Sequence, residues 1–184
     1  MRHFGAMFAL CLVCFLGAPA AADQTDPRLE DLFARLQSAS DVASARDIEV
    51  IIWNLWTTHP DDAVNTLMEQ GIGEMSQRNF PAALGTFEKV IEQAPEFAEG
   101  WNKRATIHWL MGNFERSLED IDRTLALEPR HFGALSGQGL VYSELEEWER
   151  ALAAFESALE VNPQMTGPQT NAEFIREMIL GRDI

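Results

Sequence analysis

His59, His108 and His131 are the histidines downstream of residue 22, and metal ligation through them would need His or carboxylate partners converging at helical spacing. Neither an HExxH pair nor a calcium-loop pattern accompanies them. His131 follows Pro129 and Arg130, where exposure is the plain reading. Gly137-Gln138-Gly139 is a bare GxG without the preceding strand that a dinucleotide loop requires. Ser136 lies in G-A-L-S-G-Q, which is no nucleophile elbow, and no His and Asp are placed to complete a triad. Asp120 and Asp122, two apart on a helix, face different directions and read as a solvated edge. The sequence therefore predicts no catalytic residue, no metal site and no cofactor.

Stepping outward from these residues, the first element is the amino terminus. Arg2 and His3 precede an apolar run over residues 4–18, and Ala20-x-Ala22 precedes Asp23. This pattern predicts a signal peptide over 1–22, cleaved after Ala22, and an exported, periplasmic protein without a membrane span once the leader is gone. Both cysteines, Cys11 and Cys14, fall inside the run, so disulfides and Cys-metal sites are not expected in the mature chain. The 14 Lys and Arg against 29 Asp and Glu give a net charge of −15, which repels nucleic acid and anionic lipid.

The remaining chain repeats. Pro95, Pro129 and Pro163 stand 34 residues apart, and Phe80, Phe114 and Trp148 keep the same step. So do the small residues Ala83, Ser117 and Ala151, and the large apolar Phe87, Ile121 and Phe155. Within the last copy Ala151, Leu152, Phe155, Ala158 and Leu159 recur at three and four, one stripe of a helix. The small residue lets two helices approach, the large one fills the groove between them, and proline ends the unit.

These columns resemble the tetratricopeptide-repeat (TPR) family, whose pattern runs W-x2-L-G-x2-Y, A-x3-F, P. The third copy carries Leu135, Gly139, Tyr142, Ala151, Phe155 and Pro163; the first has Gly71, Ala83, Phe87 and Pro95 but Glu74 in the tyrosine column. The second has Trp101, Ala105, Ile121 and Pro129, with His108 in the tyrosine column, a packing position rather than a ligand. The resemblance implies an all-α fold, antiparallel helix pairs stacked as a right-handed solenoid, with repeats at 61–95, 96–129 and 130–163. Residues 27–38 and 41–58 read as amphipathic helices, so that 23–60 is either an N-terminal helical pair or a degenerate repeat. Residues 164–184 hold a capping helix and tail.

The family further implies that the first helix of each pair lines a concave wall that binds partners. The second, fifth, ninth and twelfth residues of each repeat face inward there. The implied wall is Asn65, Met68, Ile72 and Met75; then Glu99, Asn102, Thr106 and Trp109; then Gly133, Ser136, Leu140 and Ser143. The Met and Trp side chains either form an adaptable groove or pack on neighbouring helices, and Asn102 either bonds a peptide backbone or is solvated. The carboxylate clamp that holds acidic chaperone tails is missing, because Met68, Ile72, Lys103, Gly133 and Gly137 occupy its places. The expected function is non-catalytic: holding another protein or peptide, but not an acidic C-terminal tail. The alternative is a structural subunit that assembles through Leu29, Phe33, Trp53 and Trp56, taken as exposed aromatic and apolar residues.

Overall fold

In the computed structural model residues 23–182 are described; the expected signal peptide, residues 1–22, lies outside them. The described residues form nine helices and no strand. In chain order they are α1 (Arg28–Gln37), α2 (Val42–Trp56), α3 (Asp62–Ser76), α4 (Phe80–Gln93), α5 (Ala98–Leu110), α6 (Phe114–Leu127), α7 (Phe132–Glu144), α8 (Trp148–Val161) and α9 (Thr166–Arg182). From α3 to α8 they stack as antiparallel pairs, with α9 closing the far edge against α8.

Local chemistry sets the ends. Asp41 accepts a hydrogen bond from Ser44 N at 2.9 Å and Asp61 one from Ala63 N at 2.8 Å, satisfying donors the first turn leaves free. The turn inside each pair places a left-handed residue at the same column, Arg78, Gly112 and Glu146, with φ of 59°, 74° and 58°. The next residue donates five positions back, Asn79 to Glu74, Asn113 to His108 and Glu147 to Tyr142, at 2.9, 2.8 and 2.9 Å. This is one Schellman closure made three times.

Inside each pair the contact is between a bare position and a bulky one. A Cβ on Gly71 would lie 2.7 Å from Phe87 Cζ, and one on Gly139 would lie 2.6 Å from Phe155 Cε1. In the middle repeat the large side chain is Ile121, and there Ala105 replaces the glycine within the same core. Phe87, Ile121 and Phe155 are 0, 2 and 0 % exposed, as equivalent bricks require. Ser117, in the alanine column, is buried and donates to Ala105 O at 2.9 Å, so its hydroxyl is satisfied.

The expected solvated edge at Asp120 is overturned. Asp120 is 3 % exposed and takes both nitrogens of Arg104 at 2.8 and 2.7 Å, a charge-assisted fork that compensates its burial. Asp122 faces outward, as expected. His108 is buried 4.0 Å from Asp120; burial lowers its pKa, and Asp120 opposes the shift.

The packing makes the glycine test specific. Gly139→Ala should destabilise the protein by about 1–3 kcal/mol, because the methyl must displace Phe155. Gly85→Ala, in α4 with nothing within 4 Å of its Cβ, should instead stabilise it by up to about 1 kcal/mol. Urea unfolding of the two variants checks both signs.

Candidate functional site

The first helices of the pairs, α3, α5 and α7, supply the inner wall. Between α5 and α7 it opens into a pocket of about 210 Å³, with Ser117 and Ile121 of α6 at its floor. Asn102, Thr106, Trp109, Ser136 and Leu140 surround it, so five of the side chains chosen from the sequence converge on one place. Ala105, Gly133, Gly137 and Met165 complete the lining. The pocket exists because α7 is bare there: a Cβ on Gly137 would meet only Ile121 Cδ1, at 3.8 Å.

The first repeat's members of that wall behave otherwise. Met68 is 2 % exposed and packs into a core with Val64, Phe87 and Phe97, so a partner does not reach it. Met75 is partly buried against the same core. Asn65 is consumed by its own chain, accepting from His59 N at 2.7 Å and donating to His59 O at 2.8 Å, which pins the loop before α3. Ile72 is 39 % exposed and lies beside a separate apolar hollow with Met75, Phe80 and Leu110. Asn102 is 7 % exposed and its amide nitrogen donates to Glu99 at 2.8 Å, so that nitrogen is engaged within the chain.

Glu99 is the centre of the wall. It is 1 % exposed, and a buried carboxylate costs several kcal/mol unless its oxygens are matched. Lys103 approaches one oxygen at 2.7 Å as an ion pair, and His131 Nε2 meets the other at 3.0 Å, beside Asn102. His131 Nδ1 accepts Ala134 N at 3.0 Å, which caps α7 and leaves Nε2 to donate to Glu99. Burial pushes the Glu99 carboxyl up, but Lys103 and His131 together outweigh it and hold it at about 2. The expected exposure of His131 is overturned: it is 0 % exposed, because the carboxylate holds one face of the junction and tryptophans cover the other.

Those tryptophans come from the N-terminal pair. Trp56 stacks on His131 at 4.1 Å and 10°, and Trp53 meets His131 and Phe132 edge-on at 5.5 Å each. Lys103 Nζ sits 5.3 Å from the Trp53 ring. Leu29, Phe33 and Trp56, offered above as exposed apolar residues, are 2, 5 and 1 % exposed within one core that includes Phe132. The side chains that motivated assembly through the ends are thus spent inside the chain. This cluster was missed because a buried Glu–His–Lys group has no sequence spacing of its own; Trp53 and Trp56, one turn apart, were its one legible signal.

Among the described residues no group of His, Cys, Asp and Glu is arranged to hold a metal, and no helix is long and apolar enough to cross a membrane.

A solenoid of two-helix bricks whose first helices line a concave, pocketed wall defines a helical-repeat protein. The tetratricopeptide repeat family matches residues 68–110 and 105–179. A TPR repeat-containing protein of Rhizobium etli is 33 % identical over 161 residues, covering 88 % of this chain and 79 % of that one. The chain belongs to the tetratricopeptide-repeat family. In fold it is similar to the Sgt2 TPR domain from Aspergillus fumigatus, with a TM-score of 0.64 at 20 % identity over 67 % of this chain and 83 % of that one. The first TPR of Spaghetti (RPAP3), solved bound to the HSP90 peptide SRMEEVD, gives 0.62 at 20 % identity over 64 % and 93 %.

The electrostatics yield a pH test. A carboxyl whose folded pKa lies below its ordinary 4.5 stabilises the fold above 4.5, and that stability is lost as pH falls toward about 2. The gap in urea midpoint between the native protein and Glu99→Gln should be widest above pH 4.5 and should close progressively below it. A gap constant down to pH 2.5 would contradict a held-down carboxylate.

Proposed function

We propose that this protein is a non-catalytic binding module which holds an apolar segment of another protein against the α5–α7 part of its concave wall. The observation that carries the reading is the convergence of Thr106, Trp109, Ser136 and Leu140 on one pocket, in a family whose inner wall is its binding face. The pocket is lined mainly by apolar groups, with two hydroxyls to orient a backbone. Thr106 Oγ1 donates to Asn102 O, which leaves its lone pairs facing the site.

The ligand in this reading is not an acidic tail, although Spaghetti was solved with one. Lys103, the lysine standing in a clamp place, is already paired with Glu99 and covered by Trp53. A chain of net charge −15 would also repel such a tail. The leader-like amino terminus supports a bacterial-envelope location for the protein and its partner, most simply the periplasm.

The test is capture from envelope extract with the full chain and its variants. Trp109→Ala and Leu140→Ala should each lose at least about tenfold in recovered partner, the scale of a lost anchor side chain. Gly137→Leu should fill the pocket and abolish capture with no fall in melting temperature, because leucine is the better helix former. Undiminished capture by all three variants would overturn the reading.

A further inference from the structure

The pair α1–α2 does not extend the stack beyond α3. Its core is built with Phe132, Val161 and Met165, residues of α7, the end of α8 and the turn before α9. Followed from its first turn, α2 crosses the wall. Val42, Arg46 and Glu49 share an open hollow with residues 164–168; Trp53 and Trp56 cover the start of α7, with Trp53 beside Lys103 of α5; and Thr57 and Thr58, in the link after α2, line a hollow with Met68 and Ile72 of α3. That seats the end of α2 on the α5–α7 part of the concave face, where a ligand of the wall would lie.

The contact also has the anatomy of an interface. Its centre is aromatic: Trp56 on His131, and Trp53 seated over Gly133, where a Cβ would lie 2.6 Å from Trp53 Cη2. Its edge is a rim of exposed or part-buried polar bonds, Gln24 to Glu96 O and Ala98 N, Gln37 to Glu160 O, and Arg130 to Glu30. An aromatic centre inside a polar rim is how separate proteins meet. Within each repeat, by contrast, the two helices join through a small residue against a bulky one.

The polar contacts of the receptor side do not use the hairpin. Glu99, Asn102, Lys103 and His131 bond among themselves on α5 and α7, and neither tryptophan supplies a hydrogen bond to them. Trp56 Nε1 is buried without a hydrogen-bond partner among the described residues. A native core seldom leaves such a donor unmatched. The hairpin is joined to α3 through residues 57–61, a short polar stretch containing Pro60.

We infer that the wall's ligand is an amphipathic helix bearing two aromatic residues one turn apart, and that α2 is its place-holder within the chain, exchanged for the partner's helix on binding. This rests on the concave wall being the binding face, as proposed above. The occupant is argued from the seat itself: a flat imidazole face backed by a carboxylate, a bare helix position at Gly133 and a lysine stem, all of which take aromatic rings.

The probe is a fluorescent synthetic peptide of residues 41–58, titrated into the full chain. The native protein should bind it weakly, since its own α2 is in place. Trp53→Ala/Trp56→Ala, which loosens the resident helix, should bind it at least about tenfold more tightly. A peptide carrying the same two substitutions should not bind.

Should the double variant fail to fold, the single substitution Trp53→Ala serves, because it loosens the resident helix and leaves the seat over Gly133 bare for the peptide's ring. In hydrogen exchange of the native protein, the α1 and α2 amides should exchange together and ahead of the α3–α8 amides. The inference is overturned if neither variant gains affinity, or if the hairpin amides exchange only with global unfolding. Neither readout uses a cellular partner, so a failure here is separate from a failure of the capture experiment.

Discussion

Two helices covered with ordinary side chains stay about 8–10 Å apart, and this solenoid depends on coming closer than that at one point in every brick. The chain does so by emptying one side of the contact and filling the other. Gly71 faces Phe87, Gly139 faces Phe155, and where the large partner shrinks to Ile121 the facing residue grows to Ala105. Helix tilt, the left-handed turn at residues 78, 112 and 146, and the exit at the proline column all follow the same contact, so each brick hands the next the same geometry. The concave wall is the sum of those identical steps.

A second constraint acts across bricks. Glu99 is a carboxylate removed from water, and every group that compensates it comes from α5 or from the first turn of α7. His131 does two jobs at once, capping α7 through Nδ1 and meeting Glu99 through Nε2. The start of α7 is thereby fixed to α5 by directional bonds where the rest of the repeat junction relies on apolar packing. Because the carboxylate is charge-paired by Lys103 and bonded by Asn102 and His131 within the cluster, with Oε1 met by the ion pair alone, the cluster presents flat, desolvated surfaces to whatever lies above, and the indoles of α2 lie there.

The period was legible in the sequence because a stacked brick forces the same residue sizes to recur, and size survives substitution: Ser117 stands in for alanine and Ile121 for phenylalanine without breaking register. Which places of the period face inward came from the family resemblance, and in the second and third repeats Asn102, Thr106, Trp109, Ser136 and Leu140 from those places line one pocket. Burial of individual polar groups was not. Asp120, His131 and Asn102 are ordinary surface types; Asp120 is matched by Arg104 and His131 by Glu99, each on another helix, and Asn102 by Glu99 one turn away on its own helix. The amphipathic stripe of α2 was likewise visible, but a stripe says that a face is covered and not what covers it. Trp53 and Trp56 therefore looked like an interface to another molecule, when the structure turns them onto the chain's own wall.

Gly133 and Gly137 bring these constraints together at one place. They lie four apart on α7 and so share a face, one turn from each other. At Gly133 the bare backbone is filled by the edge of Trp53, at a distance no side chain on residue 133 would allow. At Gly137 the same face is open, and the nearest atom is the methyl of Ile121 in the floor of the pocket. The chain thus shows, one turn away, what kind of group a bare stretch of this helix accepts: a ring laid against the backbone. Both glycines cost α7 helical stability, by about 1 kcal/mol each against alanine. The Trp53 contact accounts for the first, and the second is left serving the space between α5 and α7, which is the space a partner's side chain would fill.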